Sequence, residues 1–349
     1  MDRVLVTGAN GFIGSHLVRE LRERGVSVRA MVRHGADMEI FRTQNPDNAS
    51  AGCVELVAGE LSDSATLARA IDGCGIVFHI AGITIESGKY RRFSWNTDAV
   101  EWVALACRRA NPVPVLLFVS SLAAAGVSFP GHTRSEDDPP QPVSRYGQSK
   151  LLAETKLREY AADIPISIVR PPMVLGPGDR MGLQMFQAIR VSHAHFTPTC
   201  TKLYHAVVDV RDLAPVITLA GLRGQRLRPT SMWNADADRG QGIYHMATQS
   251  SVEYGELGRM VSQAMGRRRL LVCRFPSFLT RGVVLITDSF AALRGKGVYL
   301  NRDKFREIIA GSWDCDAKKV ERELGFIPPL PLQERLNTTA MWYREHGWL

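Results

Sequence analysis

The segment Val6-Thr7-Gly8-Ala9-Asn10-Gly11-Phe12-Ile13-Gly14 limits what this chain can fold into more than any other. It follows a short apolar run, Arg3 to Val6. It precedes Phe12, Ile13, Leu17, Val18 and Leu21, which recur at helical spacing up to a stop at Gly25. A strand, a glycine turn and a helix in that order suit a dinucleotide pyrophosphate. The anion needs backbone N–H groups and a helix N-terminus with no side chains in the way, and glycine allows the close approach. Three glycines alone are a weak signal, and an ordinary βα turn is the alternative reading. The strand–turn–helix context is what favours the cofactor.

Further alternation agrees. Strands are expected at Val26–Val32, Val54–Val57, Ile76–Ile80, Val115–Val119 and Ile166–Val169, with helices at Asp63–Ile71, Thr97–Arg109 and Ser144–Ala161. Strands alternating with helices imply parallel pairing, and continuously apolar strands imply a sheet covered on both faces. The expected architecture is α/β, a doubly wound parallel Rossmann sheet over residues 1–172. A smaller, mostly helical and discontinuous substrate domain is expected over 173–349, after the break at Pro171, Pro172, Pro177 and Gly178. Strands near Ala206–Val210 and Ile243–Met246 are expected to return to the main sheet. Helices are expected at Tyr254–Met265, Ser277–Leu293, Ala317–Leu324 and Leu332–His346.

Composition excludes several classes. Of 349 residues, 45% are hydrophobic and 22% charged, as in a globular protein rather than a disordered one. The net charge of +8 is spread along the chain. Its densest cluster, Arg267–Arg269, lacks interleaved aromatics, so nucleic-acid binding is not expected. Six cysteines without C-x-x-C spacing point to a reduced set, no metal site and a cytoplasmic location. Met1 is followed almost at once by a strand, so no signal peptide is expected. Ala110–Thr133 is broken by prolines and Pro276–Leu293 contains Arg281 and Asp288. Neither reads as a membrane span, although the second leaves peripheral membrane contact open.

The cofactor's phosphate preference is read at the end of the second strand. An acidic residue there would hold a ribose 2′-hydroxyl, and an arginine would accommodate a 2′-phosphate. Val32-Arg33 stands there, so NADP(H) is favoured over NAD(H). Downstream, Tyr146 and Lys150 lie one helical turn apart. A nearby ammonium lowers a phenol's pKa and suits it to acid–base work at a carbonyl or alcohol oxygen. Ser120-Ser121 ends the fifth strand, at the carboxyl edge where such sheets bind ligands.

Taken in order, these motifs resemble the extended branch of the short-chain dehydrogenase/reductase superfamily, the NAD(P)-dependent epimerases, dehydratases and reductases. The resemblance implies catalytic roles for Ser121, Tyr146 and Lys150. It implies cofactor contacts at Gly8, Asn10, Gly11, Phe12, Ile13, Gly14 and Arg33, and at Tyr146 and Lys150 again. It adds Glu60 and Leu61 at adenine, Ala81 and Gly82 within His79-Ile80-Ala81-Gly82, and Pro172 and Val174 beside the nicotinamide. Asn96 matches a structural asparagine. Many sugar-nucleotide members carry tyrosines where this chain has Ala125 and Leu175. Tyr204 to Leu213 resembles the 3β-hydroxysteroid dehydrogenase and dihydroflavonol reductase-like members. The resemblance therefore implies hydride exchange with a secondary alcohol or ketone on a largely apolar small molecule. The alternatives are a sugar-nucleotide epimerase or dehydratase, and a non-catalytic dinucleotide sensor. It also implies a possible homodimer, with Val100, Val103, Ala104 and Cys107 facing either a partner or the sheet.

Overall fold

The computed structural model describes residues 3–36, 41, 52–86, 92–129, 131–234, 237–278 and 302–349. The apolar stretch Pro276–Leu293 falls mostly on 279–301, outside the described residues. The strands are β1 (Arg3–Thr7), β2 (Ser27–Val32), β3 (Val54–Ala58), β4 (Ile76–His79), β5 (Val115–Val119), β6 (Ile166–Arg170), β7 (Met173–Leu175), β8 (Ala194–Thr197), β9 (Tyr204–Asp209), β10 (Ile243–His245), β11 (Gln249–Glu253) and β12 (Leu271–Arg274). A seven-stranded sheet runs β10-β6-β5-β4-β1-β2-β3, with parallel pairing throughout.

Both faces of this sheet are covered, as its apolar strands require. Along β1, Val4 and Val6 pack with Leu17, Val18 and Leu21 of the helix Phe12–Glu23 and with Leu213, Val216 and Ile217 of the helix Val210–Arg223. Leu5, between them, points the other way. It joins Leu67, Val100, Val103, Ala104, Cys107 and Leu157 from the helices Ser64–Ile71, Ser94–Arg109 and Arg145–Glu159. The two-residue period of a strand thus divides one run between two cores. Val100, Val103, Ala104 and Cys107 face the chain's own sheet, so they are not the residues of a dimer contact.

Of the two strands expected to return to the main sheet, one does. Ile243–His245 does return, as the edge strand beside β6. Tyr204–Asp209 does not. It forms the middle of a separate sheet, antiparallel to β11 and parallel to β7. The edge beside β6 is already filled by β10, and β9 lies between two cores. Val208 belongs to the core over the main sheet, and Val207 to a third core with Leu175, Phe186, Leu257, Leu336 and Tyr343. The C-terminal helix Leu332–Glu345 is pinned to this region: Arg335 pairs with buried Asp212, and Arg211 donates to the Arg335 carbonyl at 2.9 Å. No described helix is long and apolar enough to cross a membrane.

Candidate active site

The carboxyl ends of β1, β4, β5 and β6 converge on the glycine turn, two serines and the Tyr–Lys helix. Each glycine is held by a close approach. A Cβ on Gly14 would lie 2.2 Å from the Gly8 carbonyl oxygen, and one on Gly8, at φ +67°, would lie 2.9 Å from the Ala81 backbone. Gly11 caps the helix Phe12–Glu23 with no side-chain hydrogen bond, and no acidic residue occupies the first turn. An uncapped twelve-residue helix without nearby carboxylates favours an anion at its N-terminus. Asn10, Phe12 and Ile13 are partly exposed around it. Arg33, just past β2, is exposed, as is Glu60 past β3. Leu61 is not a surface group: it is buried in the core beside Met31.

Thr7 ties the turn to β4. Its hydroxyl lies 2.8 Å from His79 Nδ1 and accepts from the Ile80 and Ala81 amides. Asn96 accepts from the Ile83 amide at 2.8 Å and donates to Ser149 Oγ at 3.0 Å, which locks the 80–83 loop to the helix Arg145–Glu159. Between them, a Cβ on Gly82 would reach 3.2 Å from Lys150 Nζ and 3.4 Å from Asn96 Oδ1. The missing side chain lets the 80–83 backbone come close to the lysine ammonium and the Asn96 side chain, and keeps a Cβ from pressing on either. These residues fit a dinucleotide along the glycine turn, Ala81, Gly82 and Lys150. Pro172 and Val174, both partly exposed, follow the end of β6.

The serines separate by role. Ser120 donates to Glu154, whose carboxylate makes a two-pronged pair with Arg170 at 2.9 and 2.6 Å; the pair is buried, each side chain about 4% exposed. Ser121 caps a short turn through the Ala123 amide at 3.1 Å, and its hydroxyl works to lower the pKa of the Tyr146 phenol.

The expected effect of Lys150 on Tyr146 is not the one found. Burial pushes the phenol up to about 12. The Ser121 hydroxyl works against this, Glu307 reinforces it and Lys304 opposes it. Lys150 instead donates to the Val119 carbonyl at 3.1 Å and lies over the Phe118 ring. Burial brings its own pKa down to about 8, opposed by Glu154. The lysine's place is behind the tyrosine, facing Gly82.

The helix Arg302–Ala310 supplies groups that no motif announced. Asp303 accepts from the Arg145 and Tyr146 amides at 2.8 and 3.1 Å. Ser144, the cap residue, accepts from Gly147 and donates to Glu307 at 2.6 Å, and Lys304 pairs with Glu307 at 2.6 Å. Two carboxylates thus clasp the N-terminus of the helix that carries Tyr146 and Lys150, where the helix dipole favours negative charge. Asp303→Ala should destabilise the fold by about 1–3 kcal/mol, the typical cost of losing charged hydrogen bonds. Urea denaturation measures this, and cofactor affinity should not change.

Residues 4–234 match the family model described as NAD dependent epimerase/dehydratase family. The chain belongs to this family. Its members are enzymes that use a nicotinamide dinucleotide, and this chain sits with the reductase and dehydrogenase relatives of the extended branch. It is 28% identical to a ceramide reductase of Caulobacter vibrioides over 99% of this chain and 96% of that protein. It is 26% identical to a putative dihydroflavonol 4-reductase of Synechocystis sp., over 100% of this chain and 96% of that one. A solved structure of MoeE5 with UDP-glucuronic acid and NAD superimposes with a TM-score of 0.70 at 25% identity, covering 99% of this chain and 100% of the other.

Ala125 and Leu175, where sugar-nucleotide members carry tyrosines, are buried. Ala125 packs with Ala206, Ala247 and Cys315, and Leu175 with Phe186 and Val207. The substitutions change what lies behind the site, not an exposed wall.

Proposed function

We propose that the chain is an NADP(H)-preferring reductase or dehydrogenase acting on a secondary alcohol or ketone of a largely apolar small molecule. The observation that carries this reading is the convergence of Ser121, Tyr146 and Lys150 with the glycine turn at the carboxyl edge of the sheet, where the Ser121 hydroxyl works to lower the pKa of the Tyr146 phenol and Gly82 places no side chain against Lys150. When bound, the nicotinamide would supply the hydride equivalent. The protein's own part is to hold a carbonyl oxygen between the Ser121 hydroxyl and the Tyr146 phenol and to give it a proton. The phenol carries its proton at neutral pH and can give it to the oxygen as the hydride arrives, although burial, by pushing its pKa up, makes it a weaker acid. Lys150 would hold the ribose at Gly82 and, once it faces the ribose, add positive charge behind the phenol.

The substrate class draws on the two relatives that match over their whole length, named as reductases of ceramide and of dihydroflavonol. The competing reading is a sugar-nucleotide epimerase or dehydratase, favoured by the likeness to MoeE5. Mixing the protein with NADPH and a ketone substrate separates the two. A reductase releases oxidised cofactor in step with product, whereas an epimerase leaves the free cofactor pool unchanged.

The phosphate preference rests on Val32 and exposed Arg33. Fluorescence titration should show NADPH bound more tightly than NADH, and Arg33→Ala should abolish the difference. NADH binding as tightly as NADPH to the unmodified protein would reject the preference.

A further inference from the structure

Strands β8 and β12 form a two-stranded parallel ribbon away from the main sheet. Ala194 pairs with Leu271, His195 with Val272, Phe196 with Cys273 and Thr197 with Arg274. Paired residues point to the same side, and successive residues alternate. One face carries His195, Thr197, Val272 and Arg274. It packs inward: His195 lies against Gly258 of the helix Tyr254–Ala264, and Arg274 turns to Glu253. The opposite face carries Phe196, Leu271, buried Ala194 and half-buried Cys273, extended by Phe275. This face is open. Phe196 is 51% exposed, Leu271 65% and Phe275 39%, and Phe278 just beyond is 70% exposed. The rings of Phe196 and Phe275 meet at 5.6 Å, so the two strands present one aromatic ridge. A contiguous apolar face of this kind marks an interaction surface rather than the ordinary scatter of exposed side chains.

Charge narrows the partner. The two segments that build the ribbon, 190–202 and 265–278, contain Arg190, Lys202, Arg267, Arg268, Arg269 and Arg274, and no aspartate or glutamate. Arg190, Lys202, Arg268 and Arg269 are exposed. Arg267 braces the ribbon from behind, donating to the Ile189 and Arg190 carbonyls. An aromatic ridge whose two strand segments carry cations and no carboxylate of their own suits a surface that is apolar within and anionic at its rim. A second copy docked face to face would set arginines against arginines, which disfavours self-association.

We propose that the outer face of the β8–β12 ribbon is a docking site for an anionic phospholipid bilayer. Phe196, Leu271, Phe275 and Phe278 would enter the interface, while Arg268, Arg269, Arg190 and Lys202 meet lipid phosphates. The inference stands apart from the substrate reading, since it uses no residue of the active site.

The test is sedimentation of the full chain with vesicles of phosphatidylcholine alone or mixed with phosphatidylglycerol, at low and high salt. The unmodified protein should sediment with the mixed vesicles at low salt, and less so with neutral vesicles or at high salt. Each basic residue at an anionic surface is worth on the order of a fivefold change in partitioning. Arg268→Glu/Arg269→Glu should therefore weaken binding by at least about tenfold. Phe196→Ser/Leu271→Ser/Phe275→Ser should abolish it. Unchanged cofactor titration would show that both variants are folded. Equal binding to neutral and anionic vesicles would overturn the proposal, as would either folded variant binding like the parent. A doubled mass by light scattering, without vesicle binding and lost in the serine variant, would assign the face to self-association instead and also overturn it.

Discussion

Tyr146→Phe should lower turnover by about 10²–10⁴-fold, the usual span of a general acid–base contribution, while leaving the protein folded and its cofactor affinity little changed. The ring of Tyr146 packs 5.8 Å from that of Phe93, and phenylalanine keeps that contact. What is lost is the phenolic hydroxyl and the proton it gives. Ser121 retains a structural bond to the Ala123 amide, so the local turn should survive. Hydride addition to a ketone builds negative charge on oxygen. With the phenol gone, that charge meets only the serine. Single-turnover measurements under saturating NADPH would read the effect directly. Near-normal turnover by the folded variant would remove Tyr146 from the mechanism.

The second large effect is on stability. Glu154→Ala should destabilise the protein by about 3–5 kcal/mol, because it leaves the buried Arg170 guanidinium without its carboxylate. Ser120 loses its acceptor in the same step. A paired substitution, Glu154→Leu with Arg170→Met, removes both charges together and should recover most of the loss. Urea denaturation at neutral pH distinguishes the cases. A loss below about 1 kcal/mol for Glu154→Ala would place the pair among ordinary surface contacts instead.

What could be read along the chain was local. The glycine turn, the Tyr-x-x-x-Lys pair and the alternating strands depend on neighbours within one turn or one βα unit, so spacing reveals them. Ser121 was set apart from Ser120 by the family resemblance alone, not by any local pattern. Both hydroxyls end the same strand, and only the packing of Glu154 and Arg170 beneath it takes one of them out of the cleft. The placement of β9 depended on β10 having filled the sheet edge, and no pattern within Tyr204–Asp209 carries that information. Lys150 was identified, but its present partner, the Val119 carbonyl, lies on another element. The helix Arg302–Ala310 was overlooked because it is short and polar. Its meaning lies in Asp303 and Glu307 meeting a helix made far earlier in the chain.

That last contact bears on how the protein comes into being. The glycine turn and its strands belong to the first half of the chain, whereas Ser144 and its partner Glu307 are 163 positions apart. At roughly 5–20 residues per second of ribosomal synthesis, the clasp follows the catalytic helix by about ten to thirty seconds. During that interval the emerging polypeptide carries Tyr146 and Lys150 on a helix whose first turn lacks its carboxylates. The glycine turn, Ser121, Tyr146 and Lys150 are therefore all synthesised before the segment that clasps their helix. A chain ending short of Arg302 would carry Tyr146 and Lys150 without Asp303 and Glu307 at their helix's first turn, and without the core residues Val320 and Leu324.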